Sequence, residues 1–355
     1  MAKKKKIKKS RICFIVVLVC LLIGIGLGVY KGLKSPDVEE PEVEEKEAEP
    51  IRVVQIVDES SDARNIAVMF NNIDRVWGHQ SGLQDAYIVY EMPVEGGYTR
   101  LLALYREAST ERIGSVRSAR PYYLDYVLEN DAKYVHFGGS DQAFSDIRNL
   151  GINAIDGMRY GPGFWRDTTL RLPSEHTAFT SMERIMTGVS HFGHRTTSEH
   201  PLLLKYSVDP IDIASMEGAK EANNVFVEFS VSRSTVFTYN PERKVYMRSQ
   251  GRGNGTPVNH VDAITGEQYT ARNIIVYNVP FISLDSQGRL RIDNIGEGTA
   301  WLITDGYAVP ITWEKRARGA QTIYRHTDME RTRIQVNDGN TYILIAPTGR
   351  RLSID

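Results

Sequence analysis

The chain has 355 residues, 43 basic and 44 acidic, for a formal net charge of −1, and only two cysteines. That length exceeds one ordinary domain, and the near balance of charge gives no electrostatic footprint for nucleic acid. Both cysteines, Cys13 and Cys20, fall in the first twenty residues. The remainder therefore has no disulfide framework, no cysteine nucleophile and no cysteine-ligated zinc.

Residues 1–11, MAKKKKIKKSR, carry seven bases and no acid. Residues 12–30, ICFIVVLVCLLIGIGLGVY, carry no charge. At ~1.5 Å per residue such a run spans ~28 Å as a helix, close to the ~30 Å hydrocarbon core of a bilayer. A basic flank stays cytoplasmic. The expectation is one transmembrane helix that acts as a signal anchor, with its N-terminus inside and the rest of the chain extracytoplasmic at the cell membrane. Cleavage, lipidation and a buried soluble helix are the alternatives, and the flanking charges count against the last. GIGLGVYKG is a poor cleavage site, and Val19 before a mid-span Cys20 departs from a lipidation box. Residues 31–52 follow as an acidic tether, with eight acids and three bases up to residue 50. So charged and apolar-poor a segment reads as an extended spacer.

Residues 53–205 read as an α/β domain, a mixed sheet with flanking helices. RNIAVMFNN is a buried strand, and AYIVYEMPVEGGYTRLLALYRE is two strands turning at Gly96-Gly97. In RPYYLDYVLEND, Pro121, Leu124, Val127 and Leu128 share one helical face, and Ser118 is an N-cap candidate. AKYVHFGGS is a strand ending in glycines. DQAFSDIRNLG is a helix closed by Gly151, and HTAFTSMERIMTGVSHFG is a third helix. Residues 206–224 read as a connector. From 225 to 355 short β-branched or alternating runs (NVFVEFSV, STVFTYN, KVYMRS, NIIVYNV, TAWLITDG, YAVPITWEK, TYILIAP) alternate with turn residues such as TDG and NDG. They predict a β-rich C-terminal domain.

Several long stretches, in order, carry a resemblance. They are IAVMFNN, SGLQDAYIVYEMPVEGGYTRLLALY, IGSVRSARPYYLDYVLENDAKYVHFGGSDQAF, GINAIDG and HTAFTS, then GTPVNHVDAITGEQYTARNIIV, GEGTAWLITDG and NDGNTYILIAPTG. Together they resemble the YerB-like bacterial lipoprotein family, a two-part family of unknown function. The resemblance implies an extracytoplasmic, membrane-tethered protein. It supplies no catalytic residues, and the missing lipidation box departs from the family's name.

Candidate sites follow from residue type. Arg117 and Arg120, with Arg100, form a basic cluster before a helix, suited to a carboxylate or phosphate. Glu91 and Glu95 on the neighbouring hairpin offer internal ion pairs that explain the same arginines without a ligand. His136 and Ser140 flank Gly138-Gly139 where a strand meets a helix, the usual ligand position in open α/β sheets. Trp165 and Arg166 lie on a Gly/Pro loop, where an aromatic beside charge suits a sugar or peptide. A carboxylate pair among Glu91, Glu95 and Asp125 would suit glycoside hydrolysis, but Glu91 and Glu95 on a regular strand sit ~13 Å apart, too far for that chemistry. His194 and His200 lack helical zinc spacing. His260, Asp262 and Glu267 read as turn chemistry. No metal or cofactor is expected. The functional expectation is binding of a cell-envelope ligand or partner. The alternatives are a hydrolase acting on envelope glycan or peptide, and a scaffold for another membrane protein.

Overall fold

The computed structural model describes residues 53–253, 255–286 and 288–355, together with Val19, Cys20 and Leu22. Apart from those three residues, the expected 12–30 span and the acidic tether up to residue 52 lie outside the described residues. Among the described residues no helix is long and apolar enough to cross a membrane.

The strands that matter here are, in chain order, β1 (Ile66–Asn72), β2 (Ile88–Pro93), β3 (Thr99–Tyr105), β4 (Lys133–His136), β5 (Ala154–Asp156), β6 (Lys220–Glu221), β7 (Asn224–Ser230), β8 (Arg233–Asn240), β9 (Val245–Gly251), β10 (Asn273–Val279), β11 (Gly296–Thr304), β12 (Tyr307–Lys315), β13 (Ile323–His326), β14 (Thr341–Pro347) and β15 (Leu352–Ile354). The helices are α1 (Leu124–Glu129), α2 (Asp141–Asn149) and α3 (Met182–His191).

Strands from both halves of the sequence build one mixed sheet, in the order β6-β12-β11-β10-β14-β2-β3-β1-β4-β5, with β13 alongside β12. The joint is β14, which runs parallel to both β10 and β2. The expected mixed sheet with helices in the first half and the strand-rich second half are both present, and this sheet runs through both. The stretch read as a connector supplies edge strand β6. A second sheet orders Val258–Asn259, β9, β8, β7 and β15.

Local sequence explains these elements. β1 is buried along its whole length: Ile66–Phe70 are an apolar run in a sheet covered on both faces, and the buried Asn71 and Asn72 are hydrogen-bonded to His176 and Thr99. The β2–β3 hairpin turns through Gly96 and Gly97, with φ of 72° and 74°. The β11–β12 hairpin turns through Asp305 and Gly306, both at positive φ, as a two-residue turn between twisted strands requires. Ser140 and Ser181 cap α2 and α3, each accepting a backbone N–H three residues on. Ser118 caps nothing: a 3-10 turn over Pro121–Tyr123 precedes α1, and its N-cap is Arg120.

Each face of the central sheet has its own core. Tyr90, Met92, Leu102 and Tyr134 pack with Tyr123, Leu124 and Val127 around α1. Val89, Leu101 and Val135 pack with α3 and with Val225, Val227 and Phe237 of the second sheet. Side chains alternate along a strand, so Glu91 shares the face of Val89, while Arg100 shares that of Leu102.

Candidate functional site

The hairpin carboxylates separate. Glu91 is buried between the two sheets and accepts from Arg248 (2.8 Å), Asn72 (3.2 Å), Thr99 (2.8 Å) and Thr235 (2.9 Å). Arg248, fully buried, also contacts Nδ1 of His260, whose Nε2 meets Gln80. Burial, then the Arg248 charge, hold the His260 imidazole well below its usual range. Glu91 therefore belongs to a network that joins the two sheets and is not among the arginines. Glu95 lies beyond the end of β2, in a 3-10 turn, and accepts from Arg120 Nε at 2.6 Å. Burial pushes its carboxyl up, but the Arg120 hydrogen bond and charge outweigh this, and the pKa is lowered.

The three clustered arginines are not equivalent. Arg120 is paired with Glu95, whereas Arg100 donates to the Ser118 carbonyl and Arg117 to the Glu175 carbonyl at 2.9 Å. Among the described residues neither Arg100 nor Arg117 reaches a carboxylate within ion-pair distance. Arg100 is buried, and burial first, then the charge of Arg120, bring it down to about 10. Burial and the same Arg120 charge also lower Arg117. Of the three guanidiniums only Arg120 has a carboxylate at ion-pair distance, while the Glu175 charge acts on Arg117 from farther away.

Beside this cluster opens a cleft of about 670 Å³, lined by Glu95, Arg120, Ser140 and Asp125 from the first half and by Asn294 and Arg318 from the second. Arg318 Nε donates to Asp125 at 2.6 Å and Nη1 to Asp146 at 2.9 Å, and Asn294 donates to the other Asp125 oxygen at 3.0 Å. The far wall is mixed: aliphatic Leu284, Leu290, Ile292 and Ile295 alternate with Asp285, Arg289, Arg291 and Asp293. Leu284 and Ile295 are 56% and 49% exposed. Burial raises the Asp125 carboxyl against the pull of Arg318, yet both of its oxygens are already engaged. Asp125 serves the cleft as a brace.

The remaining candidates sit elsewhere. Trp165 stacks on Phe179 (centroids 6.2 Å apart) and lines a separate cavity of about 630 Å³ with Arg112 and Asp262. Arg166 lies over the Phe137 ring and donates to the Ser174 carbonyl. Asp262 closes its own turn onto Ile264 N–H (2.8 Å) and reaches Gly82 N–H (2.8 Å). His136 lines a further cavity on the other flank of α2. Sequence reasoning missed Arg318, Asn294 and the far wall. They lie more than 150 residues from Asp125, and no local pattern announces them.

These features define a protein whose two sequence halves share one sheet and both line one cleft. The chain belongs to the family described as protein of unknown function (DUF3048): the family's N-terminal domain matches residues 53–195 and its C-terminal domain residues 225–343. It is 28% identical over 280 residues to "Putative lipoprotein YerB" of Bacillus subtilis (strain 168), covering 78% of this chain and 80% of that one. The crystal structure of the YerB protein from Bacillus subtilis matches with a TM-score of 0.67 at 26% identity, over 82% of this chain and 94% of that one.

Proposed function

We propose that this protein is an extracytoplasmic binding protein, held at the membrane through residues 12–30, that takes a cell-envelope ligand bearing an anionic group. The ligand occupies the cleft between Arg120 and the far wall. The observation that carries this reading is Arg120, with the buried Arg100 charge behind it, at one end of an open cleft whose opposite wall exposes Leu284 and Ile295. The anionic group would sit at the Arg120 end, where oriented guanidiniums bind oxyanions well, and an apolar or neutral portion would lie along Leu284 and Leu290. The lipoprotein description of the Bacillus relative supports the extracytoplasmic setting. The seven bases before an uncharged run support the anchor.

The test is thermal unfolding of the full chain in detergent with muropeptides and with poly(glycerol phosphate). A fragment present at ~100 times its dissociation constant adds ~2.7 kcal/mol, which shifts Tm measurably. Leu284→Asp, at an exposed position, should abolish that shift without changing the Tm of the free protein, and Arg120→Ala should weaken it. A wild type that no fragment shifts, or a Leu284→Asp protein that still responds, refutes the reading.

A further inference from the structure

The mixed sheet ends at β5: among the described residues no strand lies on its outer side. An uncovered edge presents unpaired backbone groups, which proteins commonly blunt with a charge, a proline or a covering element. The register says which groups are free here. Tyr134 N–H donates to the Asn153 carbonyl at 2.8 Å, and Gly157 N–H to the His136 carbonyl at 2.9 Å. In a parallel ladder alternate residues turn their peptide groups to opposite sides. Asn153, Ile155 and Gly157 therefore serve β4, while Ala154 and Asp156 face outwards. The Asp156 carbonyl is taken by the N–H groups of Arg159 (2.9 Å) and Tyr160 (2.8 Å). Ala154 alone offers both a donor and an acceptor, and it is partly exposed where Ile155 and Asp156 are buried.

A groove of about 410 Å³ follows this edge. Ile152 and Ala154 line it on one side, and Phe144, Ile147 and Arg148 of α2 on the other. The opposite flank of α2, with Gln142 and Asp146, faces the cleft, so the two openings are separate. Phe192, 43% exposed, and Arg159 complete the mouth. Arg148 is exposed, and among the described residues it has no carboxylate at ion-pair distance. The Arg159 side chain is 67% exposed, lies over the Phe144 ring and stands 3.8 Å from Asp156. Asp156 is the only carboxylate in the described lining, and its Oδ1 is held by the Gly138 (2.8 Å) and Met158 (3.0 Å) N–H groups. The accessible charge of the groove is positive.

We infer that this groove takes an extended peptide segment, which adds to the sheet as a further strand beside β5. An apolar side chain of the peptide packs on Phe144 and Ile147, and a carboxylate meets Arg148 and Arg159. Main-chain bonds to an open edge give such a complex its affinity, and contacts to alternate side chains give it selectivity. Ala154 asks for an acceptor and a donor from one chain lying ~4.8 Å from the edge, which is the spacing of a neighbouring strand. A sugar or a lipid headgroup matches the aromatic or the charged groups but not that backbone pattern. Charge complementarity selects an acidic partner, because the exposed guanidiniums outnumber the one engaged carboxylate.

The test is fluorescence anisotropy of the full chain in detergent with two labelled peptides, TVTVTE and TVTVTK. In an extended chain the valines and the last residue share one face. The glutamate peptide should bind, and the lysine peptide about tenfold more weakly or worse. A strand pairs along one of its two edges, so N-methylation of alternate peptide amides should abolish binding in one series and spare it in the other. The double variant Arg148→Glu/Arg159→Glu, at exposed positions, should reverse the preference to lysine. Ala154→Pro removes the edge donor and should weaken binding about tenfold, with amide NMR reporting whether the variant is folded. In the wild type, amide exchange at Ala154 should slow on saturation with TVTVTE. Leu284→Asp in the cleft should change none of this. A glutamate peptide that does not bind, two N-methyl series with equal effect, or an Ala154 amide whose exchange is unmoved overturns the inference. None of these outcomes bears on the cleft.

Discussion

Replacing Glu91 by methionine should be among the most damaging single changes available to this fold. Glu91 is 1% exposed and Arg248 fully buried, so the substitution leaves a guanidinium in the interior with no counter-charge. Breaking such a pair costs about 3–5 kcal/mol. Asn72, Thr99 and Thr235 lose their acceptor as well, adding about 1 kcal/mol or more. Against a total stability of about 5–15 kcal/mol, Glu91→Met should bring the chain close to unfolding. Arg248→Met should cost somewhat less, because the carboxylate keeps its hydroxyl and amide donors. The double variant removes both charges, and its cost should fall below that of Glu91→Met alone, with a coupling of about 2–4 kcal/mol. Urea denaturation followed by both near- and far-ultraviolet dichroism measures all three. A Glu91→Met cost under about 1 kcal/mol, or a double variant no more stable than additivity allows, would refute the argument that a dry ion pair clamps the two sheets.

Two further outcomes are expected. Lys133 is 2% exposed, and burial, then Arg64 and Arg195, hold its amine down to about 8 from an ordinary 10.5. The folded state therefore binds fewer protons there than the unfolded state, and stability rises with pH between about 8 and 10.5. Lys133→Met should raise Tm at pH 7, and the gain should shrink at pH 10; a gain independent of pH would show that Lys133 is not the titrating group. Deleting residues 341–355 removes β14, which leaves β2 and β10 as open edges inside what was a continuous sheet. Such edges pair indiscriminately, so the truncated chain should aggregate, as read by size-exclusion chromatography; a soluble, folded monomer would show that the first half stands alone.

Much of the fold was legible because it depends on local rules. The apolar continuity of Ile66–Phe70, the glycine pair at 96–97 and the Asp-Gly turn at 305–306 each act within a few residues. What local rules do not carry is the partner of an element. Nothing near Tyr342 says that it lies between β10 and β2, some 65 and 250 residues away in sequence.

The candidate site shows the same division more sharply. Glu91 and Glu95 look like neighbours in sequence, and both could answer the arginines. The pleat assigns Glu91 to the face opposite Tyr90 and Met92, but both faces of β2 are apolar. The alternation therefore reveals that two faces exist without revealing that one meets helices and the other a second sheet. Glu95 escapes the alternation because the strand has ended, and only there can it reach Arg120. His136 was legible as a strand-end residue, but its chemistry was not. Whether its free nitrogen donates or accepts is fixed by the carbonyl of Gly138 two residues on, and whether that nitrogen meets solvent is fixed by the stacking of Tyr134 and Phe144 around the ring. A sequence can nominate the residue type at such a position. The direction of its hydrogen bond comes only from the packed structure.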